Sequence, residues 1–341
     1  MYRQVVPAVL EKFGVQYAAI RDVQKGYRNE SYPVRLQNDK IVNLLFYKRE
    51  PGIEERIARA DEVAAWVAGA GYPVRVRHDP RTLRLSNAKR PTYAALYNYL
   101  PGHTIPWEAY TKKHIKLLGM AMSDMHACLA NMPAEWSDAC RITDELTDLS
   151  DRMQAYFSDE NVTRAMRQKL GIAIDLETIR RFRTLIRLFD SDKTQQPLHM
   201  DMVRGNVLFS SASTDDTWQI GDIALTGVID FEKTAYGHPL FDIARTLAFL
   251  LVDCAVKDEA KIRRYFLFSG YNKRGQASYD YKAGFAGVTH GQLLDGLVEF
   301  FLLHDLYKFL CHAPYESLKA NHHYIRTRNI LIRHGMVRYY K

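Results

Sequence analysis

The residues best suited to chemistry lie between positions 198 and 209: His199, then Asp201, then Asn206, followed by the apolar run 207–209 and Ser210-Ser211. A short apolar run bounded by turn residues reads as a buried strand, so the polar residues before it lie on a loop feeding that strand. Such a loop exposes side chains on a fixed scaffold. Downstream, Val228-Ile229 forms a second apolar strand that ends in Asp230, with Glu232 two residues on. The two strands can pair across the polar stretch 210–217, which brings Asp201, Asn206 and Asp230 to one end of a small sheet. That cluster suits phosphoryl transfer. One Asp accepts or orients the proton of the attacking hydroxyl, while an Asn and a second Asp, both hard oxygen ligands, hold Mg²⁺ against nucleotide phosphates. Asp, four residues, Asn, then a strand-end Asp is the order of a kinase catalytic loop and its metal-binding Asp.

The rest of the chain must position these groups. Its 341 residues allow one large domain or two ordinary ones, and 47% hydrophobic with 25% charged residues describe a soluble globular protein. The net charge of +8 suits an anionic nucleotide. No RNA- or DNA-binding motif accompanies it and the basic residues are spread along the chain, so no nucleic-acid partner is expected. Cys128, Cys140, Cys254 and Cys311 form no C-x-x-C pair, which argues against a zinc site or a disulfide framework. Reduced thiols in a cytoplasm are the default. The first residues carry no signal peptide; Val5, Val6, Val9, Leu10 and Phe13 have the spacing of an amphipathic helix. The longest apolar run, 247–252, is too short to span a bilayer, and no membrane association is expected.

Beyond the second strand comes Ala235-Tyr236-Gly237-His238-Pro239-Leu240-Phe241-Asp242-Ile243-Ala244-Arg245. Taken with the H-x-D-x-x-x-x-N loop and Ile229-Asp230-Phe231-Glu232, it resembles the aminoglycoside phosphotransferase and choline kinase superfamily, small-molecule kinases with a protein-kinase-like fold. The pattern there is roughly H-G-D-x-x-x-x-N, then I-D-[FW]-[DE], then G-x-P-x-x-D-x-A. Met200 stands where Gly is usual and Arg204 where Pro is usual, and the segment between the motif strands is longer than usual.

The resemblance implies a two-lobed α+β fold: a small β-rich lobe over residues 1–100, with a hinge near 96–101, and a larger, mainly helical lobe over 101–341. Gly26 and Asn29 lie in a stretch similar to the superfamily's G-x-x-N-x-x-Y-x-V turn, whose backbone N–H groups approach phosphates. The third strand should carry a cation for the α and β phosphates. Leu45 aligns with it, and Lys48, on the Leu44 and Phe46 side by strand alternation, is the candidate replacement. A Glu on the following helix pairs with that cation in the family; Glu62 is best placed, Glu55 second. Tyr99 and Leu100 fall in the hinge, whose backbone would hold adenine. Residues 74–76 and 82–85 suggest strands flanking an Asp79-Pro80-Arg81 turn. In the second lobe His126 reads as a packed helix histidine, Asp242 as support for the catalytic loop, and the helices of residues 142–189 as the region that helps form the substrate pocket in related kinases. The basic, aromatic segment 315–341 carries no assigned role.

The expected activity is transfer of the γ-phosphoryl group of ATP to a hydroxyl of a small molecule. Asp201 is the expected base and Asn206 and Asp230 the Mg²⁺ ligands. Glu232 is a further metal-side group, and His199 holds the loop by hydrogen bonds. The alternative is a nucleotide-binding pseudokinase acting as a regulatory or scaffold module, which Leu45 motivates. A protein kinase is disfavoured because D-F-G and A-P-E sequences are absent. Polycationic aminoglycosides would want an acidic pocket, whereas this chain is basic overall.

Overall fold

The computed structural model describes residues 2–25, 29–86, 91–213, 215–254, 257–274 and 277–340. The chain divides into two compact units: Met1–Thr104 with Arg204–Thr234, and Ile105–Val203 with Ala235–Lys341. A single boundary near Leu100 assigns residues 204–234 to the second unit. The structure joins them to the first, because their strands bond its backbone at Val74 and His103.

In chain order, the first unit opens with α1 (Val6–Lys12), which has Pro7 in its first turn, where no helical N–H is needed. Then come β1 (Tyr17–Ile20), β2 (Gln24–Lys25), β3 (Glu30–Leu36), β4 (Ile41–Phe46), α2 (Ile53–Gly69), β5 (Arg77–Arg84) and β6 (Tyr93–Asn98). They form one antiparallel sheet of order β1-β3-β4-β6-β5, with β2 on β3. Asp39 turns β3 into β4 with φ 62°, a left-handed conformation that Asp tolerates. Both faces of β4 are buried. Val42, Leu44 and Phe46 pack with Val6, Val9 and Leu10 of α1, whereas Leu45 packs with Ile53 and Ile57 of α2.

The expected Asp79-Pro80-Arg81 turn does not separate two strands: it lies within β5 as a bulge between Arg77 and Thr82, where the Arg81 N–H donates to Asp79 Oδ1 at 2.9 Å. Pro80 is tolerated because β5 is an edge strand.

The second unit begins with α3 (Lys112–Leu129), whose N-terminus is closed by a capping box between Thr111 and His114. There follow α4 (Ile142–Ser158), α5 (Glu160–Ala165), β7 (Ile172–Ile174), α6 (Leu176–Leu188) and β8 (Gln196–Leu198). The chain then adds β9 (Val207–Ser211), β10 (Trp218–Ile220) and β11 (Ile223–Val228) to the first unit as a three-stranded sheet of order β10-β11-β9. The extra strand β10 turns on Gly221, φ 62°, so β9 and β11 pair as expected but are not a simple hairpin.

Back in the second unit are β12 (Ala235–Gly237), α7 (Leu240–Asp253), α8 (Glu259–Arg263), β13 (Gly284–Phe285), β14 (Val288–Thr289), α9 (His290–His312), α10 (Tyr315–Leu318), α11 (His322–Arg333) and β15 (Val337–Tyr339). The apolar helix α7 packs on α9, and β12 pairs with β8. No helix among the described residues is long and apolar enough to cross a membrane.

Candidate active site

In the second unit the loop after β8 is held from α7. The pairing of Leu198 with Ala235 brings β8 beside the strand that leads into α7. Asp242, in the first turn of that helix, accepts the N–H of His199 with Oδ2 and the N–H of Met200 with Oδ1, both at 2.9 Å. His126 of α3 lies 3.3 Å from the same Oδ2 through Nε2. Its Nδ1 meets the Tyr271 hydroxyl at 2.8 Å, and its backbone carbonyl accepts from Gln196 of β8 at 2.9 Å. Burial alone pushes the Asp242 carboxyl up, but the hydrogen bond with His126 and the N–H that His199 donates hold it below the ordinary carboxylate range.

His199 Nδ1 accepts the N–H of Asp201 at 3.1 Å, which fixes the imidazole proton on Nε2. Met200 sits at φ 58°. This is the left-handed region in which Gly is at ease, a physical reason for Gly at this place in the motif. Asp201 is only 7% exposed, and its Oδ1 lies 3.5 Å from a guanidinium nitrogen of Arg245 on α7. The Arg245 guanidinium rests over the rings of Phe249 and Phe301, 5.7 and 5.6 Å from their centroids. Arg245 also lines a small, open surface hollow with Phe249, Phe301, Asp305 and Lys308. Sequence reading gave Arg245 no role. The signal was its place three residues after Asp242, on the same face of the helix.

In the first unit the β9–β11 register, Val207 opposite Val228, puts Asn206 and Ile229 beyond the last pair, where the Ile229 N–H donates to the Asn206 carbonyl at 2.9 Å. Asn206 and Asp230 therefore share one end of this sheet. Asp230 has φ 66°, so the chain turns sharply at the carboxylate. Glu232, 5% exposed, accepts from Nδ2 of Asn29 at 2.5 Å, and Asn29 Oδ1 in turn accepts the N–H of Lys48 at 3.1 Å. Among the described residues no three His, Cys, Asp or Glu side chains form a metal cluster. The donor set fits Mg²⁺ nonetheless, since that ion takes one or two carboxylates and completes its octahedron with phosphates and water.

A model of the phosphotransferase enzyme family matches residues 19–275. The chain belongs to that family. The motif-based resemblance to the aminoglycoside phosphotransferase and choline kinase superfamily therefore stands. No curated protein matches the sequence. Among solved structures, this phosphotransferase is similar to amicoumacin kinase hAmiN in complex with AMP-PNP, Ca²⁺ and Ami, at 15% identity and TM-score 0.65, covering 96% of each chain. It is similar to a microcompartment-associated aminopropanol kinase at 14% and 0.61, covering 97% of this chain and 99% of that one. The GDP complex of aminoglycoside 2'-phosphotransferase-IIIa follows at 14% and 0.60, covering 96% and 98%. The α+β fold is the protein-kinase-like fold of these neighbours.

The phosphotransferase departs from expectation around its strand cation. Leu45 is buried against α2. Lys48 lies beyond the end of β4, exposed, with Nζ 3.8 Å from Glu50. The Leu44 and Phe46 face, to which alternation assigned Lys48, is the face packed on α1 rather than α2. Glu62 and Glu55 are exposed. Two other acids of α2 meet the sheet: Glu54 accepts from the Tyr93 hydroxyl at 2.8 Å, and Asp61 accepts from the Tyr97 hydroxyl at 2.9 Å and from Arg77 at 2.7 Å; Tyr97 is also hydrogen-bonded to Tyr47. Asp61 was legible as the position four residues after Ile57. Tyr99 and Leu100 are half-buried just after β6, and Leu100 lies against Gly227 of β11, where a Cβ would meet its Cδ1 at 2.8 Å. Gly26 lies outside the described residues.

Proposed function

We propose that the chain transfers the γ-phosphoryl group of ATP to a hydroxyl group of a small molecule. The observation that carries this reading is that the backbone hydrogen bond from Ile229 to Asn206 brings two residues with hard oxygen donors, Asn206 and Asp230, to the same end of the β9–β11 pair. Family membership supports the reaction class. Bound Mg²⁺ would neutralise charge building on the phosphate oxygens. Asp201 accepts the proton of the acceptor hydroxyl as the phosphoryl group leaves ATP. Arg245 orients Asp201 and offsets part of its charge. Asp242 fixes the loop backbone, so Asp201 starts from one orientation rather than many. Glu232 and Asn29 brace the chain after Asp230. The Tyr99–Leu100 backbone would bond the base.

The acceptor is proposed to dock beside Asp201, on the surface that Arg245, Phe249, Phe301, Asp305 and Lys308 form. Its two aromatic rings, two cations and one carboxylate suit a compound with both apolar and ionic parts. The absence of disulfides, with four free cysteines, supports a cytoplasmic setting.

A second reading, a nucleotide-binding module without turnover, is favoured by Leu45 at the strand cation position. The test is ADP release from Mg-ATP with a panel of hydroxyl compounds, alongside nucleotide affinity by calorimetry. Turnover that falls on the order of 10²–10⁴ in Asp201→Asn, with ATP still bound, supports the kinase. Nucleotide binding without ADP release for any acceptor favours the module. Wild-type protein that binds no Mg-ATP removes both readings.

A further inference from the structure

With ATP as the phosphoryl donor proposed above, a cation must meet its α and β phosphates, and neither Leu45 nor Arg77 is available. Leu45 is apolar and buried. Arg77 is committed to Asp61, with its Nε donating to Oδ2 at 2.7 Å, and to Thr82 Oγ1 at 2.7 Å. Lys48 extends from an exposed position outside the strand toward Glu50. Among the described residues Arg59 of α2 reaches past Asp230, where its Nε donates to the Thr234 carbonyl at 3.1 Å and is held there, and Arg75 reaches the strand ahead of Asp230. Val74 bridges in parallel to Val228, and the Arg75 N–H donates to the Val228 carbonyl at 3.1 Å. Asp230 lies two residues beyond Val228, the last residue of that strand. Arg75 therefore leaves the backbone beside the strand that delivers the candidate metal ligand.

Its side chain is half-buried, and its guanidinium lies 5.0 Å from the centroid of the Tyr97 ring. Arg77 sits 4.8 Å from the same centroid. The two arginines share one aromatic platform, and they differ in what neutralises them. Among the described residues Arg75 makes no ion pair and no side-chain hydrogen bond, whereas Arg77 is paired with Asp61. Burial and the charge of Asp61 push the Tyr97 phenol well up, so the platform stays a neutral ring. An arginine on an aromatic face, with its five N–H donors unspent, is preorganised to take phosphate oxygens.

We infer that Arg75 is the cation that binds the α and β phosphates of the nucleotide, supplied from the segment ahead of β5 in place of the strand residue that Leu45 has replaced. Glu62 then needs no cation partner, which accords with its exposure, and Asp61 serves to hold Arg77 and Tyr97 as the platform.

The experiment compares Mg-ATP, Mg-ADP and adenosine binding by calorimetry in wild type, Arg75→Ala, Arg75→Met, Arg75→Lys, Lys48→Ala and Leu45→Lys, with folding followed by circular dichroism. Arg75→Met keeps an aliphatic stem on Tyr97 should the Ala variant unfold. The expected result is a loss of ATP and ADP affinity of about ten- to a hundredfold in Arg75→Ala and Arg75→Met, the worth of one charge-assisted contact. Adenosine affinity should move less than about twofold, and Arg75→Lys should recover part of the loss. Two results overturn the assignment: unchanged ATP affinity in the folded Arg75 variants, or equal losses for ATP and adenosine, which mark a packing role. A larger loss in Lys48→Ala, or a gain in Leu45→Lys that exceeds the Arg75 effect, also overturns it. Wild-type protein that binds no Mg-ATP overturns the phosphotransferase reading as well, whereas wild-type binding with insensitive Arg75 variants overturns this inference alone.

Discussion

Arg245 holds its guanidinium 3.5 Å from Oδ1 of Asp201, a cation resting over two aromatic rings and set against the proposed base. Lys offers a point charge without the planar stacking surface. Arg245→Lys and Arg245→Ala are therefore expected to lower kcat by about ten- to a hundredfold through misplacement of Asp201, with nucleotide affinity kept. Steady-state kinetics beside calorimetry check this. A variant that loses nucleotide affinity and keeps kcat would contradict the positioning role.

Asp242→Asn tests the double backbone clamp. The amide keeps one acceptor oxygen but turns an NH₂ toward an N–H that Asp242 now receives, inside a fully buried site. The expected cost is about 1–3 kcal/mol of stability, the penalty for a buried group left unsatisfied. Urea unfolding measures it, and a wild-type midpoint would show that the loop does not depend on the clamp.

Met200→Gly separates backbone strain from burial. Gly removes the left-handed strain, about 1–2 kcal/mol. It also gives up a buried methionine side chain worth about 1.5–3 kcal/mol and adds chain entropy to the unfolded state. The expected net effect is a loss of about 1 kcal/mol. A clear gain in denaturant midpoint would mean that strain dominates at this position.

Stability should fall on both sides of about pH 6.5 because of opposite histidine shifts. His334 is raised to about 9 by its hydrogen bond to Glu259 and by the Glu299 carboxylate 3.4 Å from Nδ1, against burial. His323 is raised to about 9 because Asp253 and Asp305 overcome its burial. Both contribute stability that is complete below their ordinary value of 6.5 and lost as pH rises through about 9. His238 is lowered to about 4, first by burial and then by His290 and His126, and its Nδ1 accepts the Leu240 N–H. Its contribution is complete above 6.5 and lost as pH falls toward about 4. Melting temperatures across pH should show a dome. His334→Gln should flatten the alkaline limb and His238→Gln the acid limb; slopes unchanged in both variants would contradict this origin.

The loop that carries Asp201, and the place of Asp230 just past a strand end, were legible because their signals are local: short apolar runs bounded by turns, with polar residues at fixed offsets. The clamp by Asp242 was legible for the same reason, through its place in a continuous motif. The side of the sheet that carries α2 was not. Both faces of β4 are buried, so its sequence shows no polar and apolar contrast from which to choose, and Lys48 was assigned by alternation to the face that α1 covers. Pro80 misled in a different way, since an edge strand accepts the residue that would end an inner one. Arg75 had no local signal at all. Its position depends on the bridge between Val74 and Val228, a contact that no nearby residue encodes.

That bridge also sets an order of events during synthesis. Val74 and His103 emerge from the ribosome long before the strands that bond them, and residues 105–203 follow in between. Until residue 234 has left the exit tunnel, the first unit lacks β9 to β11, and the backbone donors and acceptors around Val74 and His103 await their partners. Domains that form from contiguous sequence fold as they are made; this one must wait. A nascent chain stalled before residue 204 would present an unfinished strand edge to the cell, the surface on which strands of other chains pair.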